Sequence, residues 1–303
     1  MTRPSTKTIL IAVGIFLFFL VLRFPYRNLK GYIFGQVFKT TGIRVDAEDL
    51  SPSFLGWPGL KLYKASVSIP IGMTSELNLA AEQVTARVGI GGIFPPSPSI
   101  SVYAYKFQKG GNLYVKGSQS RNFIGGSLSA EDLNLAQFLS VGLPAPIEGI
   151  LRASGTFGYD QADLAKSTGN IDLSIAKLDI PGMNTQGIPL PAIQWDEVKA
   201  RLVIKNGSLD VLQGQFGTPQ SALRGTLSGN VRLGRDIYTS FIALVLRLQM
   251  TEAYRMDPQS ATLVSFLKTY ESSTKPGEYV LKWNATIQEM MTNLLLALPT
   301  KGE

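Results

Sequence analysis

Two periodicities and one near-repetition predict a mainly β fold hung from a membrane anchor. From residue 43 onward, apolar side chains recur at alternate positions in runs broken by Gly, Pro, Ser and Asn, the pattern of half-buried strands. Before them, residues 9–22 form an uncharged apolar run, ILIAVGIFLFFLVL. The near-repetition aligns Leu62–Pro70 with Leu173–Pro181 and Val84–Val88 with Val198–Leu202, 111–114 residues apart. Together these predict an N-terminal transmembrane helix, a juxtamembrane amphipathic helix, and then a curved, internally duplicated antiparallel β-sheet. The sheet is expected to be half-barrel or sandwich-like, with one or two short helices. The predicted units are 1–24 (tip and anchor), 25–42 (amphipathic helix) and 43–303 (β domain), with repeats at about 43–130 and 150–235.

The anchor rests on Ile9, Leu10, Ile11, Val13, Ile15, Phe16, Leu17, Phe18, Phe19, Leu20, Val21 and Leu22. Fourteen helical residues rise only about 21 Å against a hydrocarbon core of about 30 Å. Extension to Thr6–Phe24 gives about 28 Å if Lys7 and Arg23 snorkel to the two interfaces. A cleaved signal peptide is the alternative. It would need a small-x-small site downstream, where Arg23, Phe24, Pro25, Tyr26 and Arg27 stand instead. Basic residues flank the run on both sides, so charge does not orient the span.

Composition excludes more than it suggests. The formal charge is +7, but residues 1–30 carry five basic residues and no acid, leaving 24 basic and 22 acidic residues for the remainder. The basicity therefore suits anionic headgroups beside an anchor, and membrane lipid is an expected partner. No basic stripe with interleaved aromatics is present, so nucleic acid is not expected. The chain has neither Cys nor His, which removes disulfides, thiolate chemistry, the commonest general base and the commonest metal ligand. No catalytic, cofactor-binding or metal-binding residue is predicted.

Along the chain, Leu29, Ile33, Val37 and Phe38 fall on one helical face, and Gly42 supplies a stop. This helix could lie on a membrane or pack against the β domain. Alternation in Leu60–Ile69 slips by one residue at Tyr63–Lys64, as at a β-bulge, and the aligned segment 173–180 slips likewise. Val84–Ile90 reads as a strand, and Ser99–Phe107 with Asn112–Lys116 as a hairpin. Leu223–Leu233 alternates most cleanly. Tyr238–Met250 is apolar at odd and even positions, so that strand is expected to be covered on both faces. Gln259–Tyr270 is a short helix after Asp257-Pro258, Tyr279–Ile287 a last strand, and Met290–Leu298 an apolar tail.

Chemical motifs are weak. Ser265-x-x-Lys268 matches one element of the penicillin-binding pattern without its companions. Glu131-Asp132 and Asp196-Glu197 are adjacent carboxylates, which on a strand point to opposite faces. Gly89–Gly92 lacks the ending of a phosphate loop. What remains is surface: an apolar sheet face that is either a closed core or an open groove for acyl chains or a partner strand.

The order of segments resembles a known family. The carrying residues are the span, the aromatic helix with Tyr32, Phe34 and Phe38, and Gly56-Trp-Pro-Gly-Leu-Lys-Leu62. Further on come Ile188-Pro-Leu-Pro191 leading into Val198-Lys-Ala-Arg-Leu202, then Ile204–Leu209 and Leu223–Leu233. This pattern is similar to type II secretion system protein N and, more broadly, to the AsmA-like β-repeat proteins of Gram-negative envelopes. The resemblance implies a single-pass inner-membrane protein with a cytoplasmic tip and a periplasmic β domain. It implies a non-catalytic role, scaffolding the secretion apparatus against its other inner-membrane subunits. The AsmA-like alternative is lipid binding or lipid transport in an apolar groove.

Overall fold

A computed structural model describes residues 26–53, 59–71, 75–91, 97–107, 110–120, 123–136, 147–160, 162–185, 188–190, 192–235, 238–292 and 299–302. The predicted anchor, Ile9–Leu22, the loop residues Gly56-Trp57-Pro58 and Asn293–Leu298 of the apolar tail lie outside the described residues. No described helix is long and apolar enough to cross a membrane.

The strands are β1 (Arg44–Asp46), β2 (Asp49–Ser53), β3 (Gly59–Ile71), β4 (Ser75–Gly91), β5 (Ser97–Phe107), β6 (Asn112–Ser120), β7 (Phe123–Asn134), β8 (Glu148–Asp160) and β9 (Thr168–Ile180). They continue as β10 (Met183–Thr185), β11 (Ile188–Leu190), β12 (Ile193–Lys205), β13 (Ser208–Phe216), β14 (Leu223–Arg232), β15 (Phe241–Met250), β16 (Glu278–Thr286) and β17 (Thr300–Lys301). The helices are α1 (Tyr26–Thr41), α2 (Glu252–Met256), α3 (Ala261–Leu267) and α4 (Ile287–Thr292). Fifteen strands form one open antiparallel sheet in near-sequential order; β10 and β11 make a separate hairpin between β9 and β12. The predicted mainly β, antiparallel character holds. There is one large sheet among the described residues, so the sandwich-like variant does not describe them.

Local chemistry explains the connections. Asn206 and Gly207 both take positive φ, 53° and 72°, between Lys205 and its partner Ser208. That is the two-residue hairpin turn which Asn-Gly favours. At the end of α1, Gly42 adopts φ 72° and donates its N–H to the Phe38 carbonyl, a C-terminal glycine stop. Helix α1 packs against β1 and β2. Ile33, Phe34 and Val37 are half-buried there, and Lys30 pairs with Asp46 at 2.8 Å. The Lys30 contact, aided by the Ala47 N–H, holds the Asp46 carboxyl below its ordinary range. The helix is thus seated on the domain, but Phe38 is 49% exposed rather than part of the buried face, and Tyr32 is 67% exposed.

At the other end, α3 and its flanking turns cover the close of the sheet. Leu267, 2% exposed, packs with Leu223, Leu248, Met250, Tyr279 and Leu281, flanked by Leu263, Val264 and Tyr270. Thr251 caps α2 by accepting the Tyr254 N–H. Trp195 Nε1 donates to the Leu223 carbonyl at 3.0 Å, tying β12 to the same cluster. The predicted helix at Gln259–Tyr270 appears as α3 between two short 3₁₀ turns. Strand β15 is not covered on both faces as expected. Phe241–Leu246 are half-buried and Arg247 is exposed; only Leu248 and Met250, under the helices, are buried. Its apolar content reflects neighbours within one layer rather than two covering layers.

Truncating Leu267 to Ala should cost about 2–4 kcal/mol, the range for a fully buried leucine, read as a lowered midpoint in urea unfolding. Burial, then the Glu271 charge, push the Tyr279 hydroxyl above its usual pKa. Its contribution is therefore complete below pH about 10 and is lost as pH rises through the folded value. Tyr279→Phe should flatten the alkaline loss of stability; an unchanged alkaline limb would contradict this.

Candidate functional site

The antiparallel register places whole rows of side chains on one face. One row runs unbroken across twelve strands from β3 to β16: Leu60, Ala86, Val102, Val115, Leu128, Gly155, Ile171, Leu202, Val211, Gly229, Leu244 and Trp283. Every member is apolar or glycine. The row one residue away, on the opposite face, is Gly59, Arg87, Ser101, Lys116, Ser127, Thr156, Asn170, Val203, Asp210, Asn230, Ala243 and Asn284. Period two, carried through consistent register, thus sorts the sheet into an apolar face and a polar face.

The sorting survives only because the strands contain extra residues. Lys64 in β3, Lys106 in β5, Asp132 in β7 and Lys177 in β9 have φ of 46°, 45°, 53° and 52°. A left-handed residue inside a strand marks a bulge, which shifts the alternation by one and bends the strand. Ala104 and Phe107, Ala130 and Leu133, and Ile175 and Leu178 therefore lie on the same apolar face although they stand three residues apart. The bulged residues are exposed. Lys64 meets Glu48 at 2.6 Å, Lys106 meets Glu82 at 2.7 Å, and Asp132 meets Arg152 at 2.7 Å. The pairing raises the pKa of Lys64 and of Lys106. Such exposed pairs add little stability.

The slip expected at Tyr63–Lys64 is present. Its counterpart in the second half is at Lys177, two residues later than the sequence alignment placed it. Register gives the reason: Leu62 pairs with Val84 as Ile175 pairs with Val198. In these two strand pairs the offset is 113–114 residues.

Apart from Ile193 and Trp195 at the start of β12, which reach the α3 cluster, no described helix packs substantially on the apolar face between β4 and β13. Side chains along the row are half-buried by their neighbours within the layer, and at the strand ends Val88 and Ile100 are each 55% exposed. Helix α1 stands at the β1–β2 end and α3 covers the β14–β16 end. Between them lies an apolar strip about 35 Å long at the usual strand spacing.

The weak chemical motifs do not assemble. Ser265 and Lys268 are exposed, with no hydrogen bond or ion pair to a carboxylate among the described residues. Asp196 accepts from Ser221, Glu197 pairs with Lys199, and Glu131 is exposed on the polar side. Among the described residues no group of three or more acidic residues is placed to hold a metal. The chain matches no family model, no curated protein and no solved structure.

If the bulges set the sorting of faces, the left-handed position in β9 tolerates glycine and resists branching. Lys177→Gly should be neutral or stabilising by up to about 1 kcal/mol, and Lys177→Val destabilising by about 1–2 kcal/mol. Equal denaturation midpoints for the two variants would contradict the assignment.

Proposed function

We propose that this chain is a non-catalytic, membrane-anchored envelope protein whose apolar sheet face holds the acyl chains of lipids. The single observation that carries the reading is the unbroken apolar row across twelve strands, largely uncovered between β4 and β13 among the described residues. Burying such a face is worth about 25 cal/mol per Å². An acyl chain spanning half of a bilayer core needs about 15 Å of contact, far less than the strip provides. The polar row behind it keeps the opposite side wetted. An inner-membrane location with a periplasmic β domain belongs to the same proposal and rests on the Ile9–Leu22 run and the family resemblance.

A second reading, scaffolding among type II secretion inner-membrane subunits, is favoured by the order of sequence segments from Gly56–Leu62 to Leu223–Leu233. In that reading the same face takes an apolar surface of a partner protein.

The test is native mass spectrometry of the full chain gently extracted from its own membranes, with cross-linking of the same sample. Bound phospholipid is expected, and Leu128→Asp or Ile171→Asp, which put a charge in the apolar row, should remove most of it while leaving the fold's circular dichroism intact. Stoichiometric protein partners with no lipid would favour the scaffold instead.

A further inference from the structure

The polar face is not uniform, and its first strands carry a distinctive patch. Tyr103 on β5 lies directly opposite Tyr114 on β6, and Tyr63 and Tyr105 sit one row nearer the bulges on either side of Gln83. Tyr63, Tyr103 and Tyr105 are each about two-fifths exposed. Around them stand the half-buried Lys61 and Arg87 and the exposed Lys116, which form no ion pair among the described residues; the Arg87 Nε is buried without a hydrogen-bond partner. The two rows that hold these cations contain no acid from β3 to β8. The nearest acids border the patch on the bulge side: Asp49 opposite Tyr63, Glu131 opposite Asn112, and Glu82 already paired with Lys106. Three cations without an acid exceed the +2 balance of the whole chain beyond residue 30.

We infer that this patch is a docking surface for an anionic lipid bilayer, holding the polar face of β3–β6 against the headgroups and leaving the apolar face turned away from them. Phenol rings, part apolar and part hydrogen-bonding, suit the headgroup layer, and Lys and Arg suit its negative charge. An acidic protein would meet the same charges. The bilayer is favoured by position, because only the short strands β1 and β2 separate β3–β6 from α1, and α1 follows the predicted anchor at Ile9–Leu22. An anchor in the same chain keeps the surface at high effective concentration, so weak contacts suffice. The inference rests on the proposed anchor but not on what fills the apolar face.

The test is lysine acetylation footprinting of the full chain in nanodiscs of phosphatidylcholine alone or of equal parts phosphatidylcholine and phosphatidylglycerol. Acetylation of Lys61 and Lys116 should fall about threefold or more in the anionic discs, with Lys205, exposed on distant β12, unchanged as the control. Arg87→Gln or high salt should reduce the difference. Equal labelling of Lys61 and Lys116 in both discs overturns the inference, as does protection that appears only when other membrane proteins are present, which would mark an acidic protein surface. A chain that washes out of both discs rejects the anchor reading, and this inference with it.

Discussion

A sheet one layer thick keeps an apolar side only if every strand holds the same phase of alternation, and here that phase is maintained by residues forced into left-handed geometry. Lys64, Lys106, Asp132 and Lys177 occupy alternate strands, β3, β5, β7 and β9. Each costs about 1 kcal/mol or more for a residue with a Cβ. In return each returns the next apolar residue to the common face. Without them Phe107, Leu133 and Leu178 would point to the polar side, and the clusters they form with Leu113, Leu151 and Ile175 would not exist.

The rest of the architecture follows from that single layer. A sheet this wide has two edges, and both are blunted. At one, β1 and β2 are three and five residues long, and β2 carries Pro52, which cannot donate to a further strand. At the other, β17 is two residues long. Strand addition by a partner is therefore less favoured than contact through a face. The helices are used at the ends as well: α1 at the first strands, and α3 with Leu267 over the last. The buried core gathers where helices or bulges supply a second contact, and the middle of the apolar face is left half-buried.

Much of this was legible as periodicity. Leu223–Leu233 predicted β14 to within a residue, and the slip at Tyr63–Lys64 predicted the first bulge. What alternation alone does not encode is which strands become neighbours over distance, so alternation sets the slip in 173–180 two residues early and predicts a doubly covered β15. The Asn206-Gly207 turn is legible from its dipeptide. The apolar row was not legible at all. It exists only in the register of twelve strands, each contributing one residue with no motif among them. The tyrosine and lysine patch is hidden for the same reason: Lys61, Arg87 and Lys116 are scattered over 56 residues of sequence and meet only through pairing.

The most direct measurement is site-specific photo-crosslinking in living cells with a photoreactive amino acid at position 171, in the apolar row, and at position 170, its neighbour on the polar face. Ile171 and Asn170 differ by one residue in sequence and by the whole thickness of the sheet in environment. The account predicts lipid adducts at 171 and none at 170. Protein adducts at 171 without lipid, or equal lipid adducts at both positions, would contradict it.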